Sequence, residues 1–467
     1  SLYFLNLAVA ALILAKLDVA ICSANLTELL LPEDSLLNFT QLAGKYGHNV
    51  EVHEATTTDG YVLTMFRIPG FRDRNLPQKT FPVLLMHGVL DSADIWIIRG
   101  NASLGITLAD AGYDVWCGNV RGNRYSRRHV RLDPDRDREF WDFSFDDHGR
   151  SDLPSLIDLV LRQTGAPRVN AIGHSQGNSV FYVMGSMRPE YNAKVNSLTA
   201  LAPIAFLQHV RGPLATLIGR SPALYRKATS IGLDEVPGRP LGEYIRKFCS
   251  QPVVGYVKCA LGVVFPLIGY DVRELEPPFF RRLVGHQLAG TSAKNLYHFG
   301  QVGRRGSYAR FDYGPERNVQ EYGSPAPPEY ELGRVTMPVA LLAGGNDPVS
   351  TAQDVALLRA RLPRVVEHTL LALQTIFLYN KSSPANAEAM AATRKLMVTA
   401  GPATVLATAP ASTYTPSPSV LPTPSAVRST SPRQRDSCVP VSPSSSRLQR
   451  RSTARMLPQP IWNNRII

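Results

Sequence analysis

Two runs of β-branched and aromatic residues, Val50–Thr57 and Tyr61–Ile68, flank Asp59-Gly60 and predict an antiparallel hairpin. Phe81–Met86 is apolar without alternation, the pattern of a strand buried on both faces of a parallel sheet. Leu104–Gly112 reads as a helix closed by glycine, Tyr113–Cys117 as another buried strand, and Asp152–Arg162 as a helix. Val169–Ile172 is strand-like, and from Gly177 onward Val180, Phe181, Val183 and Met184 recur at helical spacing. Leu198–Ala202 is a strand ended by Pro203, and the strands Val335–Leu342 and Val365–Leu373 enclose the helix Ala352–Leu362. Strands that alternate with helices predict an α/β fold with a mostly parallel central sheet. From about Phe206 to Gly314 the alternation stops, and Ala260–Tyr270 is apolar on every side. Such an insertion is either a plain helical subdomain or a cap over an apolar pocket, and its place in the sheet favours the cap.

These breaks divide the chain into a leader at 1–24, core at 25–205, a cap or lid at 206–314, core again at 315–400 and a tail at 401–467. The leader opens with an apolar run, Leu2–Ala15, too short to span a bilayer comfortably, and reaches small residues at Cys22-Ser23-Ala24. It predicts a secretory signal peptide without its initiating Met. Entry into the secretory route gives meaning to the sequons at Asn25, Asn38, Asn101 and Asn380, of which Asn38 and Asn101 are the glycosylation candidates. Of five cysteines, Cys22 leaves with the leader, Cys117 lies in a strand and Cys438 in the tail. Cys249 and Cys259 remain, free to bond in an oxidising compartment.

Charge sharpens the picture only by its location. The formal net charge is +12, but residues 402–467 hold eight Arg against one Asp, so the other 401 residues carry +5. No nucleic-acid-binding motif accompanies it, which argues against a nucleic-acid partner. The tail also holds eleven prolines and cannot form a core. The charged and aromatic stretch 119–149 reads as structural surface whose Arg and Asp side chains pair among themselves, and no spacing in it suggests a metal site.

The candidate chemistry sits between the strand at 169–172 and the helix that follows. Gly173-His174-Ser175-Gln176-Gly177 is a G-x-S-x-G string, weak alone but strengthened by a strand before it and a helix after it. The turn is so sharp that side chains flanking the serine would collide, hence a glycine on either side and an exposed hydroxyl. Ser175 is the candidate nucleophile. An oxyanion formed on attack would be held by the backbone N–H of Gln176 and by one from the loop after Phe81–Met86, for which Val89 is the candidate. Asp347, just past the strand at 335–342, could accept a hydrogen bond from a catalytic imidazole and fix its tautomer. The chemistry calls for no metal and no organic cofactor.

Several longer stretches are more particular: TTTDGYVLTMFRIP, HGVLDSADIWI, LADAGYDVWCGNVRGNRYSRRH, FWDFSFDDHGRSDLPSLIDLV, GHSQGNSV, AGTSAKNLYHFGQV and FDYG. Over roughly Asp34 to Met397 the chain resembles the acid lipase family, which includes gastric and lysosomal lipases and many insect lipases. The resemblance implies an α/β-hydrolase with a cap that hydrolyses acylglycerols or sterol esters. It implies Ser175 as nucleophile, Asp347 as triad acid, Val89 and Gln176 as oxyanion donors, and a disulfide between Cys249 and Cys259. The implied partner is a lipid ester at a micelle or droplet surface, and the implied location is secreted or lysosomal.

One departure falls on the third triad member. The family places its catalytic histidine in a short loop after the last strand, whereas here Gln374-Thr375-Ile376 leads straight into Phe377-Leu378-Tyr379, and no histidine follows His368. His368 lies inside a strand, where its ring would point to a sheet face and not over the carboxyl edge. A serine hydroxyl without a base loses several orders of magnitude in rate. A missing motif close to an unrelated tail points to altered splicing or a gene-model error near the 3′ end. Three readings follow: an ester hydrolase whose printed sequence is damaged, a pseudoenzyme that binds lipid without turnover, and, least supported, an anchored structural or interaction protein acting through its basic tail.

Overall fold

The structure is a computed structural model that describes residues 31–70 and 81–371, with Ala391 and Lys395 beyond them. The leader, Cys22, Cys438, the sequons at Asn25 and Asn380, the segment Gln374–Phe377 and the tail lie outside the described residues. The chain divides into two units, Ser1–Thr404 and Val405–Ile467, the second of which falls wholly outside them.

Eight strands form the central sheet in the order β1-β2-β4-β3-β5-β6-β9-β10. They are β1 (Glu51–Thr56), β2 (Val62–Ile68), β3 (Val83–Met86), β4 (Val115–Gly118), β5 (Val169–His174), β6 (Val195–Leu201), β9 (Val339–Gly344) and β10 (Val365–Leu371). Only β2 runs against its neighbours, β1 and β4, and every other pairing is parallel. Every residue of β3, β4, β5, β6 and β9 is buried, because helices cover both faces. On one face α3 (Leu153–Thr164), α4 (Gln176–Met187) and α10 (Ala352–Arg361) join a core containing Leu156, Val183 and Leu358. On the other, α1 (Phe39–Lys45) and α2 (Leu104–Asp110) contribute Leu42, Ile106 and Leu108 to a second core.

The two largest shifts of a strand start from the sequence expectation fall on β6 and β9, the others being two residues or fewer. β6 begins at Val195, three residues before Leu198. β9 begins at Val339 and not at Val335, since Leu332–Arg334 is a tight turn and Pro338 has no N–H to give a ladder; Val335 and Met337 are nonetheless buried. The stretch 119–149 is corrected more substantially, because much of it is core and not surface. Phe140, Trp141, Phe143 and Phe145 are buried, and they draw charged neighbours inward that must then be paired. Arg121 lies between Asp59 and Asp152, at 2.6 Å from each carboxylate, with its guanidinium 3.8 Å from the Tyr61 ring centroid. Neither partner belongs to the stretch itself.

Between β6 and β9 the chain builds a helical layer: α5 (Pro213–Ser230), α6 (Arg239–Cys249), the wound segment Tyr256–Val264 continuing as Phe265–Ile268, α7 (Pro277–His286), α8 (Ala293–Arg305) and α9 (Pro315–Tyr322). The two-residue strands β7 (Glu235–Val236) and β8 (Thr291–Ser292) pair within it, and a disulfide joins Cys249 to Cys259. Arg121→Leu is expected to destabilise the fold by about 3–5 kcal/mol, because it leaves Asp152 buried and unpaired. Urea unfolding would measure this, with Arg121→Leu/Asp152→Asn recovering part of the loss.

Candidate active site

Parallel pairing brings the ends of β3, β5, β6 and β9 to one edge, and the four predicted site residues meet there. Ser175 follows β5, Asp347 follows β9 two strands away, Val89 follows β3, and Gln176 opens α4. At the usual strand spacing, the chain positions bearing Ser175 and Asp347 are about 10 Å apart.

Ser175 holds φ 53° and ψ −118°, a conformation that side-chain-bearing residues rarely adopt. Its amide donates to the Leu201 carbonyl at 3.0 Å, and its carbonyl accepts from the Asn178 amide at 2.9 Å, so the turn is tied to β6 and to the helix it starts. A Cβ on Gly177 would lie 2.2 Å from the Met86 carbonyl oxygen, and one on Gly173 would lie 2.4 Å from Asn178 Oδ1. Both flanking positions must therefore be glycine. A Cβ on Gly88 would stand 3.4 Å from the Ser175 Cβ, which puts the loop bearing Val89 directly beside the serine. Leu90 and Ala202, at the ends of β3 and β6, also have positive φ, at 60° and 46°. Backbone strain is concentrated along this edge, as it often is at functional sites.

Asp347 is half-buried, and its Oδ1 accepts from the amides of Val349 and Ser350 at 2.8 and 2.9 Å. Oδ2 has no hydrogen-bond partner among the described residues. Burial raises its pKa above the ordinary carboxylate value, against the pull of the two amides. The loop is fastened to β6 by Ser350 Oγ, which donates to the Pro203 carbonyl at 2.8 Å.

All ten histidines lie among the described residues, and none hydrogen-bonds to Ser175 or Asp347. His87 has its ring locked: Nδ1 donates to the Gly88 carbonyl at 2.8 Å, Nε2 accepts from the Val120 amide at 3.3 Å, and burial lowers its pKa to about 4. His298 is similarly neutral, its pKa lowered to about 4 by burial. His209 and His286 are each bonded to a buried carboxylate, Asp354 and Asp94 respectively, at 2.8 Å. His368 stands exposed on edge strand β10 opposite Leu341, three residues short of the strand end, and accepts from Arg359 at 3.4 Å. It does not reach the carboxyl edge. Among the described residues, no group of His, Cys, Asp or Glu side chains is arranged to hold a metal ion.

Sequences described as a partial alpha/beta-hydrolase lipase region match residues 39–100, and those described as the alpha/beta hydrolase fold match residues 82–217. Lipase 1 of Drosophila melanogaster is 39% identical over 327 residues, covering 69% of this chain and 70% of its own length. Gastric triacylglycerol lipase of Rattus norvegicus is 35% identical over 336 residues, covering 71% and 84%. The chain belongs to the acid lipase family. Lipase member M of Homo sapiens is also similar, at 33% identity over 351 residues, covering 72% of this chain and 79% of the relative. The fold and family are those of hydrolases.

Sequence reasoning missed how this acid lipase family member fastens its helical layer to the site. The AGTSAKN stretch does it: Ser292 caps α8 by accepting from the Asn295 amide, and Asn295 Nδ2 donates to Gln176 Oε1 at 2.7 Å. The Ala289 amide donates to the Leu90 carbonyl at 2.8 Å, and Gln287 Nε2 to Asp91 Oδ1 at 3.3 Å, so the same segment braces the loop after β3. The signal was present as a polar Thr-Ser…Asn cluster inside an apolar insertion, but nothing local names its partner.

Asp91 gives a pH test of that brace. Burial raises its pKa from 3.8 to about 7. A carboxyl that binds its proton more tightly when folded stabilises fully below pH 3.8 and loses that contribution as pH rises through about 7. His87 and His298 act in the opposite sense, losing stability as pH falls from 6.5 towards 4, so the Asp91 contribution must be isolated by substitution. Unfolding free energies measured at pH 5 and pH 8 should show the advantage of wild type over Asp91→Asn shrinking by on the order of 2 kcal/mol.

Proposed function

We propose that this chain is, by function, a serine carboxylic ester hydrolase acting on acylglycerols or sterol esters in lipid breakdown. The observation that carries the proposal is the strained Ser175 turn with the Gly88 backbone beside it. Ser175 Oγ attacks the ester carbonyl as its proton passes to the general base, the amides of Val89 and Gln176 receive the charge that forms on oxygen, the ester C–O bond breaks and the alcohol leaves with that proton, and water then hydrolyses the acyl-enzyme to the fatty acid and free Ser175. Asp347 orients the imidazole that serves as general base. Its vacant Oδ2 acceptor, and a gap of one strand between it and the serine, suit an imidazole bridging the two. No metal or organic cofactor enters these steps. Action on lipid esters at a droplet or micelle surface, in a secreted or lysosomal setting, fits the exposed sequon residues Asn38 and Asn101 and the Cys249–Cys259 bond.

The imidazole itself is not supplied by any histidine bonded to Asp347. This favours a second reading for the chain as sequenced, a lipid-binding pseudoenzyme. Transcript sequencing across the codons for Gln374–Phe377 separates the two, and the hydrolase reading expects a histidine codon there. The product of that transcript should hydrolyse a long-chain ester at least about 10³-fold faster than its Ser175→Ala form. Equal rates would remove catalysis and leave lipid binding.

A further inference from the structure

One buried contact joins the helical layer to the residue that opens α4, and it has features that packing alone does not ask for. Asn295 is 0% exposed and Gln176 2%. Both side-chain N–H groups of Asn295 are committed: Nδ2 donates to Gln176 Oε1 at 2.7 Å and to Thr291 Oγ1 at 3.0 Å. Its Oδ1 is buried with no hydrogen-bond partner among the described residues. An unpaired buried amide oxygen lowers stability, so the contribution of this side chain lies in its two N–H groups and in what they hold.

Asn295 is itself a fixed point. It lies in the first turn of α8, which three successive core residues fasten down. Lys294 Nζ meets Asp142 Oδ1 at 2.7 Å, and Ser292 Oγ donates to the Phe143 carbonyl. His298 Nε2 faces the Ala309 carbonyl and must donate to it, so Nδ1 accepts from Ser144 Oγ at 3.0 Å. Gln176 is therefore the partner that conforms.

Gln176 needs such a tether because of the peptide that precedes it. Ser175 holds φ 53° and ψ −118°, and rotation of the Ser175–Gln176 peptide towards commoner angles would turn the Gln176 N–H away from the serine. The carbonyl of that peptide is held, since it accepts from the Asn178 amide at 2.9 Å. The N–H is not: at the first position of a helix it has no intrahelical partner, and it donates to no acceptor among the described residues. Its direction is steadied from its own side chain, through Asn295.

We propose that Asn295 is a positioning residue for ester hydrolysis: by holding the Gln176 side chain it aims the Gln176 amide at the oxygen that becomes charged when Ser175 attacks. This rests on the ester-hydrolase reading and adds to it a residue of the helical layer, 119 positions along the chain, that acts through Gln176.

The test uses the full chain and needs no turnover. Ser175 Oγ attacks the phosphorus of a long-chain alkyl phosphonate p-nitrophenyl ester, p-nitrophenolate leaves, the serine proton passes to water, and the phosphonyl ester stays on Ser175. The rate of p-nitrophenolate release, with peptide mapping to locate the label, is measured for the P=O reagent and for its P=S analogue. Sulfur is the weaker acceptor, so a well-aimed amide favours P=O and a misaimed one loses that preference. Removing an oxyanion donor outright costs about 10²–10³-fold in rate. Asn295→Leu and Gln176→Leu are each expected to slow the P=O reaction by about ten-fold or more and to lower the ratio of P=O to P=S rates by a similar factor. The double substitution should be no slower than the slower single one, because both remove the same contact. A weakened fold would slow both reagents alike, and circular dichroism and melting temperature check folding. Gln176→Leu reaches the contact without altering the helical layer, should Asn295→Leu fail to fold. An unchanged ratio in the folded variants, or additive losses in the double, would overturn the proposal. A wild-type chain left unlabelled at Ser175 would remove the ester-hydrolase reading and this inference with it, whereas a labelled wild type with indifferent variants removes the inference alone.

Discussion

The close approach of Gly177 to the Met86 carbonyl is the contact on which the site depends. With a Cβ position 2.2 Å from that oxygen, the start of α4 lies against the end of β3 with no room for a side chain. This brings the Gln176 amide and the loop bearing Val89 to the same serine, although they come from strands whose sequences are far apart. The Leu201 carbonyl holds the turn from the other side, accepting from the Ser175 amide and from Asn178 Nδ2 at 2.7 Å. Clamped between β3 and β6, Ser175 has little freedom to leave its positive φ, and the cost of that conformation is borne by the packing of buried strands.

The same edge receives the helical layer through buried polar contacts. Asn295 reaches Gln176, Ala289 reaches Leu90, and Gln287 reaches Asp91, so the layer and the two loops of the site form one hydrogen-bonded unit. His286 extends it: one ring nitrogen faces Asp94 at 2.8 Å and the other faces the Asp34 carbonyl at 2.7 Å, linking α7 to the N-terminal segment. Burial raises the pKa of two carboxyls in this interior, Asp91 to about 7 and Asp152 to about 6, so each of these two groups contributes more stability at acidic than at alkaline pH.

Much of the sheet could be read from the sequence because strands buried on both faces leave continuous apolar runs, as at Val83–Met86 and Val169–Ile172, bounded by clear turn residues. The glycines of the Ser175 turn were legible for a related reason, since a backbone-to-backbone contact admits one residue type. Legibility failed where a residue's state depends on a distant partner. Arg121 looks like a surface cation until Asp59 and Asp152, which come from other segments, close around it. Asn295 and Gln176 are 119 residues apart, and no local pattern could pair them. Val335 and Met337 are as buried as strand residues yet precede β9, because apolar periodicity reports burial and not hydrogen bonding.

The central proposal is that the turn presents the Ser175 hydroxyl, alone among the serines of the described residues, beside two amide donors at the carboxyl edge. A serine so placed attacks the phosphorus of a long-chain alkyl phosphonate p-nitrophenyl ester, p-nitrophenolate leaves, and a tetrahedral phosphonyl ester stays on the serine oxygen as a covalent mark. After prolonged incubation of the folded chain and peptide mapping by mass spectrometry, the label is expected on Ser175 only, and to vanish when the chain is unfolded first. An unlabelled Ser175, or a label spread over other serines in the folded chain, would contradict it.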